Sequence, residues 1–382
     1  MNKTSFMTLD TKAVENNIRF LKSKIGAGVK LSSVVKANAY GHGIEQLTPI
    51  VEAAGVDHFS VFSFDEALRV ESSTQEQPGI LIMGWIADED LPCAIAKGFE
   101  FFVFSLHRLY AAQKTALQQG KKAKIHLEAE TGMNRSGLDT DQLKQAITFI
   151  KEHPAQFELT GFCTHLSGAE SISNHLRIQR QLKQYHKMLK LLEQAQLKPH
   201  YLHVANSAAA FVFPKARYDM VRIGIMQYGF WSSAETFIHY TRNKKSKDDP
   251  LKRILSWKSK VMSIKTVKTG EFIGYGTYYL AQSDIRTALI PIGYASGYSR
   301  SLSNKGRVLI RGQRCSVIGL VNMNMIMVDV SNVPKVAIGD EVVIIGRQGE
   351  LEIKVSAFSN ISDELNYEVL AHLPGDIKRI VL

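Results

Sequence analysis

Between Leu31 and about Gly229 the chain alternates eight short apolar runs with helix-patterned stretches, and this alternation constrains the fold more than any other feature. Strands are predicted near Leu31–Val35, His58–Phe62, Ile80–Met83, Phe101–Phe104, Lys124–Leu127, Leu159–Thr164, Tyr201–Val204 and Tyr218–Ile223. Helices are predicted over Thr11–Lys24, Ile44–Ala54, Phe64–Glu71, Glu89–Lys97, Leu106–Gln118, Asp141–Glu152 and Ser173–Ala195. Eight such repeats in about 200 residues favour an α/β fold with a closed, TIM-like (β/α)8 barrel. An open doubly wound sheet is the alternative. No G-x-G-x-x-G follows any of these runs, which argues against a Rossmann dinucleotide site.

The texture changes after the barrel pattern. Trp231–Pro250 is polar, shows no helical period and reads as an inter-domain connection. Beyond it lie short β-rich runs with Gly-containing turns: Lys258–Lys265, Ile285–Ile292, Arg307–Ile310, Ser316–Val321, Met325–Val330, Glu341–Ile345, Glu352–Val355 and Asp376–Leu382. The expected organisation is a barrel over residues 8–235 and an all-β C-terminal domain over residues 245–382, with residues 1–7 as a strand that could join it. A chain of 382 residues accommodates two domains.

Composition narrows the function class. No run of roughly 18 apolar residues occurs, and the N-terminus lacks the apolar core of a signal peptide, so a cytoplasmic protein is expected. Cys93, Cys163 and Cys315 have no metal-ligand spacing, so no metal site is expected; they read as reduced, mostly buried thiols. The net charge of +11 raises the question of nucleic acid. Much of the excess lies in Arg242–Arg253 and in a stripe of Arg177, Arg180, Lys183, Lys187 and Lys190. That stripe shares a predicted helix with Leu182, Tyr185, Leu189 and Leu192, which is the pattern of an amphipathic helix with a solvated basic face. Neither a nucleic-acid nor a membrane partner is expected.

The chemistry-bearing residues fall at the C-terminal ends of the predicted barrel strands, where such folds gather their active sites. Lys36 follows the first strand, Arg135 lies in the loop after the fifth and His165 ends the sixth. His203, Asn206 and Ser207 follow the seventh, and Arg222, Gly224 and Ile225 end the eighth. A lysine backed by Val34 and Val35 is partly desolvated, which lowers its pKa and prepares it for imine chemistry. Gly41 and Gly43 then let the backbone turn at once into the next helix. Barrels place phosphate at the loops after strands seven and eight, where Ser207 offers a hydroxyl and Gly224 and Ile225 offer backbone N–H groups. A reactive lysine facing an anion cradle is what pyridoxal 5′-phosphate (PLP) requires.

The segment Val35-Lys36-Ala37-Asn38-Ala39-Tyr40-Gly41-His42-Gly43 resembles the PLP-lysine signature of the alanine racemases. Thr131–Gly137, His203–Ser207, Arg222–Ile225, Gly274-Tyr275-Gly276-Thr277, Pro291–Ala295 and Asn366-Tyr367-Glu368 resemble that family in order and approximate spacing, across essentially the whole chain. The resemblance implies that Lys36 holds PLP and serves as one of two catalytic bases, with Tyr275 as the other, carried over the barrel mouth by the second subunit of a homodimer. It implies that Arg222 meets the pyridine nitrogen, braced by His203, and that His165 supports Tyr275. It also implies that Tyr40, Asn206, Ser207, Gly224, Ile225 and Tyr367 contact the cofactor, and that Arg135 and Met323 contact the substrate. In isolation, Gly274-Tyr275-Gly276 reads as a tight turn with a packed tyrosine, and either histidine as a hydrogen-bonded structural residue.

Departures from the family pattern occur at Glu128, where many members carry a carbamylated lysine, and at Ser296, Leu320 and Asn324. The last three remove two negative charges and one positive charge near the expected channel. The implied function is interconversion of L- and D-alanine, supplying D-alanine for peptidoglycan. The alternatives are a serine, lysine or broad-range racemase, and a non-catalytic PLP-binding regulator, which would resemble the barrel alone.

Overall fold

The computed structural model describes residues 5–362 and 366–382. The chain divides into two compact units: Lys12–Lys36 with Leu47–Lys252, and Met1–Thr11, Ala37–Gln46 and Arg253–Leu382. Strand β1 (Ser5–Leu9) opens the second of these.

In the first unit, β2 (Lys30–Val34), β3 (His58–Val61), β4 (Gly79–Ile82), β5 (Glu100–Val103), β6 (Ala123–Glu128), β7 (Phe157–Cys163), β8 (Tyr201–His203) and β9 (Met220–Ile223) form one parallel sheet. Its order is β8-β7-β6-β5-β4-β3-β2-β9. The two ends meet through a parallel bridge between Asn206 and Arg222 and a backbone bond of 3.0 Å from Arg222 N to Ala205 O, making a nearly closed barrel. Helices begin where strands stop because polar caps are placed there. Ser63 Oγ accepts from Glu66 N two residues past β3, and Ser105 Oγ accepts from Arg108 N two residues past β5. Asp139 and Gln142 form a capping box at Thr140–Glu152. On helix His175–Gln194, Ile178, Tyr185, Met188 and Leu192 are buried while Arg177, Arg180, Lys183, Lys187 and Lys190 are exposed, so the basic stripe is a solvated face.

Strand side chains alternate between two environments. One set, including Phe59, Val61, Phe101, Val103, Ile125 and Leu127, is apolar; the other includes Ser32, His58, Ser60, Glu100, Phe102, His126, His203 and Arg222. Members of this second set bond to one another from different strands, which places them in the lumen. Leu81, Phe102, Cys163 and Met220 pack among them.

The second unit is built on a sheet with β10 (Leu255–Lys260), β11 (Ser263–Val267), β12 (Ile285–Ile290), β13 (Arg307–Ile310), β14 (Gln313–Ile318), β15 (Ile326–Asp329), β16 (Glu341–Gln348), β17 (Leu351–Ile353) and β18 (Lys378–Val381). Its order is β11-β12-β15-β14-β13-β16-β10-β1-β18, with β17 on β16. Strand β1 pairs antiparallel with β10 and parallel with β18, so the N-terminal strand is held among C-terminal ones. Toward the other end of the sheet, Val267, Ile273, Ala281, Ile285 and Ile318 form a hydrophobic cluster.

Two expectations need correction. The run Lys258–Lys265 is two strands, because Val261 N turns to Asp340 O and Met262 N to Leu289 O. The connection Trp231–Pro250 contains a helix, Ala234–Thr241, whose Tyr240 joins Phe20, Phe211 and Trp231 in an aromatic cluster. Two turns carrying aromatics do not show a helical period. The C-terminal domain is strand-rich as expected, and it also carries two short helices, Ser356–Ser362 and Asn366–Ala371. Cys163 and Cys315 are buried but Cys93 is exposed, and no helix among the described residues is long and apolar enough to cross a membrane.

Candidate active site

Lys36 stands immediately beyond β2. The end of that strand is pinned by Gln227 Nε2 and Tyr228 Oη, which donate to Val34 O at 2.9 and 2.8 Å. Burial lowers the Lys36 pKa, and Arg135 and Arg222 lower it further against the opposing pull of Glu66. An amine in this setting gives up its proton more readily than a surface lysine. The chain after it is unusual: Ala37, Asn38, Ala39 and Tyr40 all have φ of 51–54°. Left-handed backbone costs about 1–2 kcal/mol for each L-residue, so this turn stores strain beside the amine. Bonds from Gly41 N to Ala37 O and Gly43 N to Asn38 O hold it, at 3.0 and 2.9 Å. Gly41 is required there, since a Cβ would lie 2.0 Å from Leu370 O.

Arg222, buried at the end of β9, is gripped on one side. Its Nη1 donates to His203 Nδ1 and, at 3.0 Å, to His203 O; Nη2 donates to Thr164 O at 2.9 Å. Its guanidinium carbon sits 6.0 Å from the Phe102 ring centre. Behind His203 the polar contacts continue. His126 Nδ1 is 2.8 Å from His203 Nε2, His126 Nε2 is 2.7 Å from Glu100 Oε2, and His58 Nε2 is 3.2 Å from the same oxygen. Burial pushes the His203 and His126 pKa values down, so both rings are neutral at pH 7.

His165 is also neutral, its pKa lowered to about 3 by burial, then by Arg222, Arg135 and Lys36. Arg135 is exposed on loop 131–137, where Glu130 Oε2 accepts from Asn134 N at 3.0 Å. Glu128 is buried at the end of β6, hydrogen-bonded to Ser136; burial raises its pKa, opposed by Ser136, Arg222 and Arg135. Lys36, Arg135, His165, His203 and Arg222 are thus one electrostatically coupled group at one end of the barrel.

In the loops after β8 and β9, Gly224 N–H donates to Ser207 Oγ at 2.9 Å. The Gly224 amide is therefore engaged within the protein, and it orients Ser207 so that the hydroxyl proton is the one left to donate. Asn206 Oδ1 caps helix Ser207–Val212 by accepting from Ala209 N at 2.9 Å. Ile225 opens a buried single turn, Ile225–Tyr228.

The remaining expected residues belong to the strand-rich unit. Tyr40 and Tyr367 approach with ring centres 6.2 Å apart, and burial followed by Tyr367 pushes the Tyr40 phenol up. Tyr275 is flanked by Gly274 and Gly276 at φ 76° and 65° and is 71% exposed, so it is not the packed turn tyrosine that its tripeptide suggested. Met323 is 57% exposed on a loop whose backbone is clamped to 293–295: Tyr294 N donates to Asn322 O, and Ala295 N to Met323 O at 2.9 Å. Gly293 permits that approach, because a Cβ would lie 2.2 Å from Asn322 O.

The family model for the alanine racemase N-terminal domain matches residues 9–231, and that for the alanine racemase C-terminal domain matches residues 254–381. The chain belongs to the alanine racemase family. The alanine racemase of Leptospira interrogans serovar copenhageni is 32% identical over 382 residues, covering 99% of this chain and 96% of the relative. Among solved structures, alanine racemase from Bacillus anthracis with bound L-Ala-P superposes with a TM-score of 0.90 at 29% identity, covering 100% of this chain and 96% of that one. Alanine racemase from Bartonella henselae with covalently bound pyridoxal phosphate gives 0.84 at 27% identity, with all of both chains covered.

Within an alanine racemase framework, two departures are exposed or half-buried on the clamped loops, Asn324 on 322–325 and Ser296 in the turn Tyr294–Ser296, and Leu320 is half-buried just before them. Sequence reasoning missed Glu100, His126 and His58. Each sits on an apolar strand with a lumen-facing register, and the only available signal was an ionisable residue opening the run Glu100-Phe101-Phe102-Val103.

Proposed function

We propose that this chain is a PLP-dependent racemase that interconverts L- and D-alanine, works as a cytoplasmic homodimer, and supplies D-alanine for peptidoglycan. The observation that carries the reading is the Lys36 amine at the barrel end, depressed in pKa by burial and two guanidinium groups. The donor set fits the cofactor: an amine for its aldehyde, the Ser207 hydroxyl and Ile225 N–H for its phosphate, and a buried cation for its ring nitrogen. Bound PLP supplies an electron sink for the charge released when an amino acid loses its α-proton.

The residues then divide the work. Lys36, once neutral, takes or returns a proton on one face of the α-carbon, and the Tyr275 phenol does so on the other, because inversion needs removal and return on opposite faces. Arg222 stays charged and donates only, so it keeps the ring nitrogen unprotonated and restrains side reactions. His203 and Thr164 O hold its orientation. Neutral His165 serves the phenol side, and Arg135 binds the substrate carboxylate, assisted by Met323 N–H. Tyr40, Asn206 and Tyr367 complete the cofactor contacts, while the Gly224 amide, already bonded to Ser207, serves by orienting that hydroxyl. Tyr275, Phe272, Tyr278, Tyr294 and Met323 are all exposed on the strand-rich unit, a set of apolar side chains that supports a second copy covering them.

A broader substrate range is the second reading, favoured by Ser296, Leu320 and Asn324. Purified protein should gain a visible absorbance band on adding PLP and racemise L-alanine in a chiral assay. Colourless protein that racemises nothing overturns the proposal; faster turnover of serine, lysine or arginine than of alanine replaces it with the second reading.

A further inference from the structure

The lumen contacts form one unbroken line across the barrel. It runs from Arg222 on β9 through His203 on β8 and His126 on β6 to Glu100 on β5. A second branch reaches the same Glu100 oxygen from His58 on β3, whose Nδ1 lies 2.8 Å from Ser32 Oγ on β2, itself 2.6 Å from Ser60 Oγ. Space for the line is cleared by glycine. A Cβ on Gly161 would lie 2.0 Å from His126 Nδ1, and one on Gly79 would lie 2.7 Å from His58 Cδ2.

The protons in this line have one consistent placement. Arg222 has donors only, so the facing His203 Nδ1 must be a lone pair and the neutral ring carries its proton on Nε2. That N–H points at His126 Nδ1, which must therefore accept, leaving the His126 proton on Nε2 and directed at Glu100. A carboxylate accepts only, so the far end agrees with the near end. Protonating either ring sets two donors face to face along the line, as does protonating Glu100 on the oxygen that His126 and His58 share. The burial of all four groups makes such a mismatch expensive. Burial works to raise the Glu100 pKa, but hydrogen bonds from His126 and His58 hold it well below the usual carboxylate range.

We propose that Glu100 is the positioning residue for Arg222: by accepting from His126 it fixes His126 and His203 as Nε2–H tautomers, so that His203 always presents a lone pair to the guanidinium. Its role at the cofactor ring rests on the racemase reading above; the tautomer pattern does not. With His203 and Thr164 O both accepting from Arg222, the plane of the guanidinium is set by the barrel wall, and its free edge has one orientation.

The test is histidine 15N–1H correlation spectroscopy on the full-length protein, with and without added PLP, assigned with His126→Gln and His203→Gln. Wild type should show both rings as Nε2–H tautomers, the His126 proton far downfield as expected of a charge-assisted bond. Glu100→Gln should move that proton upfield, and Glu100→Leu should leave His203 as a mixture of tautomers. In loaded protein the visible band should shift in the same order and begin to titrate with pH, which a merely structural carboxylate would not cause. A His203 Nδ1–H tautomer in wild type overturns the proposal, as does a folded Glu100→Leu protein with unchanged tautomers or an unchanged band. Should the leucine variant not fold, an unmoved His126 proton in Glu100→Gln overturns it. Failure to bind PLP at all refutes the racemase reading, while the tautomers of the cofactor-free protein still judge Glu100.

Discussion

In the barrel unit Glu100, His126, His203 and Arg222 are all buried and each is hydrogen-bonded, whereas in the strand-rich unit Tyr275 is 71% exposed and Met323 57%. The barrel interior, which usually holds branched aliphatic residues, here holds ionisable ones; the strand-rich unit keeps a dry aliphatic core and carries its polar chemistry on loops. The difference separates two ways of making a group reactive. Buried groups are tuned by desolvation and fixed partners before any ligand arrives. An exposed group is tuned only when something covers it. The largest expected effect tests the first kind. Lys36→Ala should lower racemisation by about 10²–10⁴-fold without lowering the melting temperature, since it removes a partly desolvated amine and no hydrogen-bond partner of the core. A comparable loss of stability would mean that Lys36 holds the barrel together rather than acting on substrate.

Tyr275→Phe tests the second kind. The hydroxyl is exposed, so its removal should change stability by no more than about 0.5 kcal/mol. The effect on rate should still reach about 10²-fold, and it should be unequal when α-hydrogen exchange is followed separately from L- and from D-alanine. Equal exchange from both enantiomers at the wild-type rate would remove Tyr275 from the mechanism. A diluted enzyme that loses activity with the same asymmetry would tie the phenol to the partner subunit.

How legible these two regions were in the sequence follows from the same contrast. The barrel strands were readable because their outward faces are apolar and helices separate them at regular intervals. Lys36, His203 and Arg222 were readable because they lie at strand ends. Glu100, His126 and His58 were not, because a strand covered on both faces loses the alternation that would mark a lumen residue. The left-handed turn at Ala37–Tyr40 was hidden for a different reason: only Asn38 among its residues tolerates that backbone readily, so nothing local announces it. Helices Ser356–Ser362 and Asn366–Ala371 are about two turns each, too short for a period to emerge.

Acid should separate the two units further. His126, His165 and His203 in the barrel have pKa values lowered by burial, while His42, at about 4, is in the strand-rich unit. Below about pH 6.5 the unfolded chain binds protons that these folded rings refuse, so stability present above that pH is lost as it falls. Each histidine contributes about 1.4 kcal/mol per pH unit to this slope. Glu128, with its raised pKa, acts in the opposite sense, taking up its proton in the folded state before the unfolded chain does. Glu100 is ionised in both states across this window and contributes nothing to it. Urea unfolding at pH 7.5 and 5.5, followed by Trp231 in the barrel and Trp257 in the strand-rich unit, should show the barrel losing more. Equal losses would mean that the histidines are not neutral in the folded barrel.

The smallest effect sharpens the comparison within the barrel itself. Glu128 stands where many alanine racemases carry a carbamylated lysine, and here it feels Arg222 and Arg135 while hydrogen-bonding Ser136. On the proposed reading, an anion coupled to both guanidinium groups limits their mutual repulsion and so keeps Arg135 available to a substrate carboxylate. Glu128→Ala should therefore raise KM for alanine by about tenfold, equivalent to about 1.4 kcal/mol, with kcat nearly unchanged. Because the Glu128 pKa is raised, wild-type KM should climb as pH falls toward the carboxylate range, and Glu128→Gln should abolish that climb. Unchanged KM in both variants would show that the carboxylate serves the strand end and Ser136 alone, and that Arg135 needs no buried counter-charge.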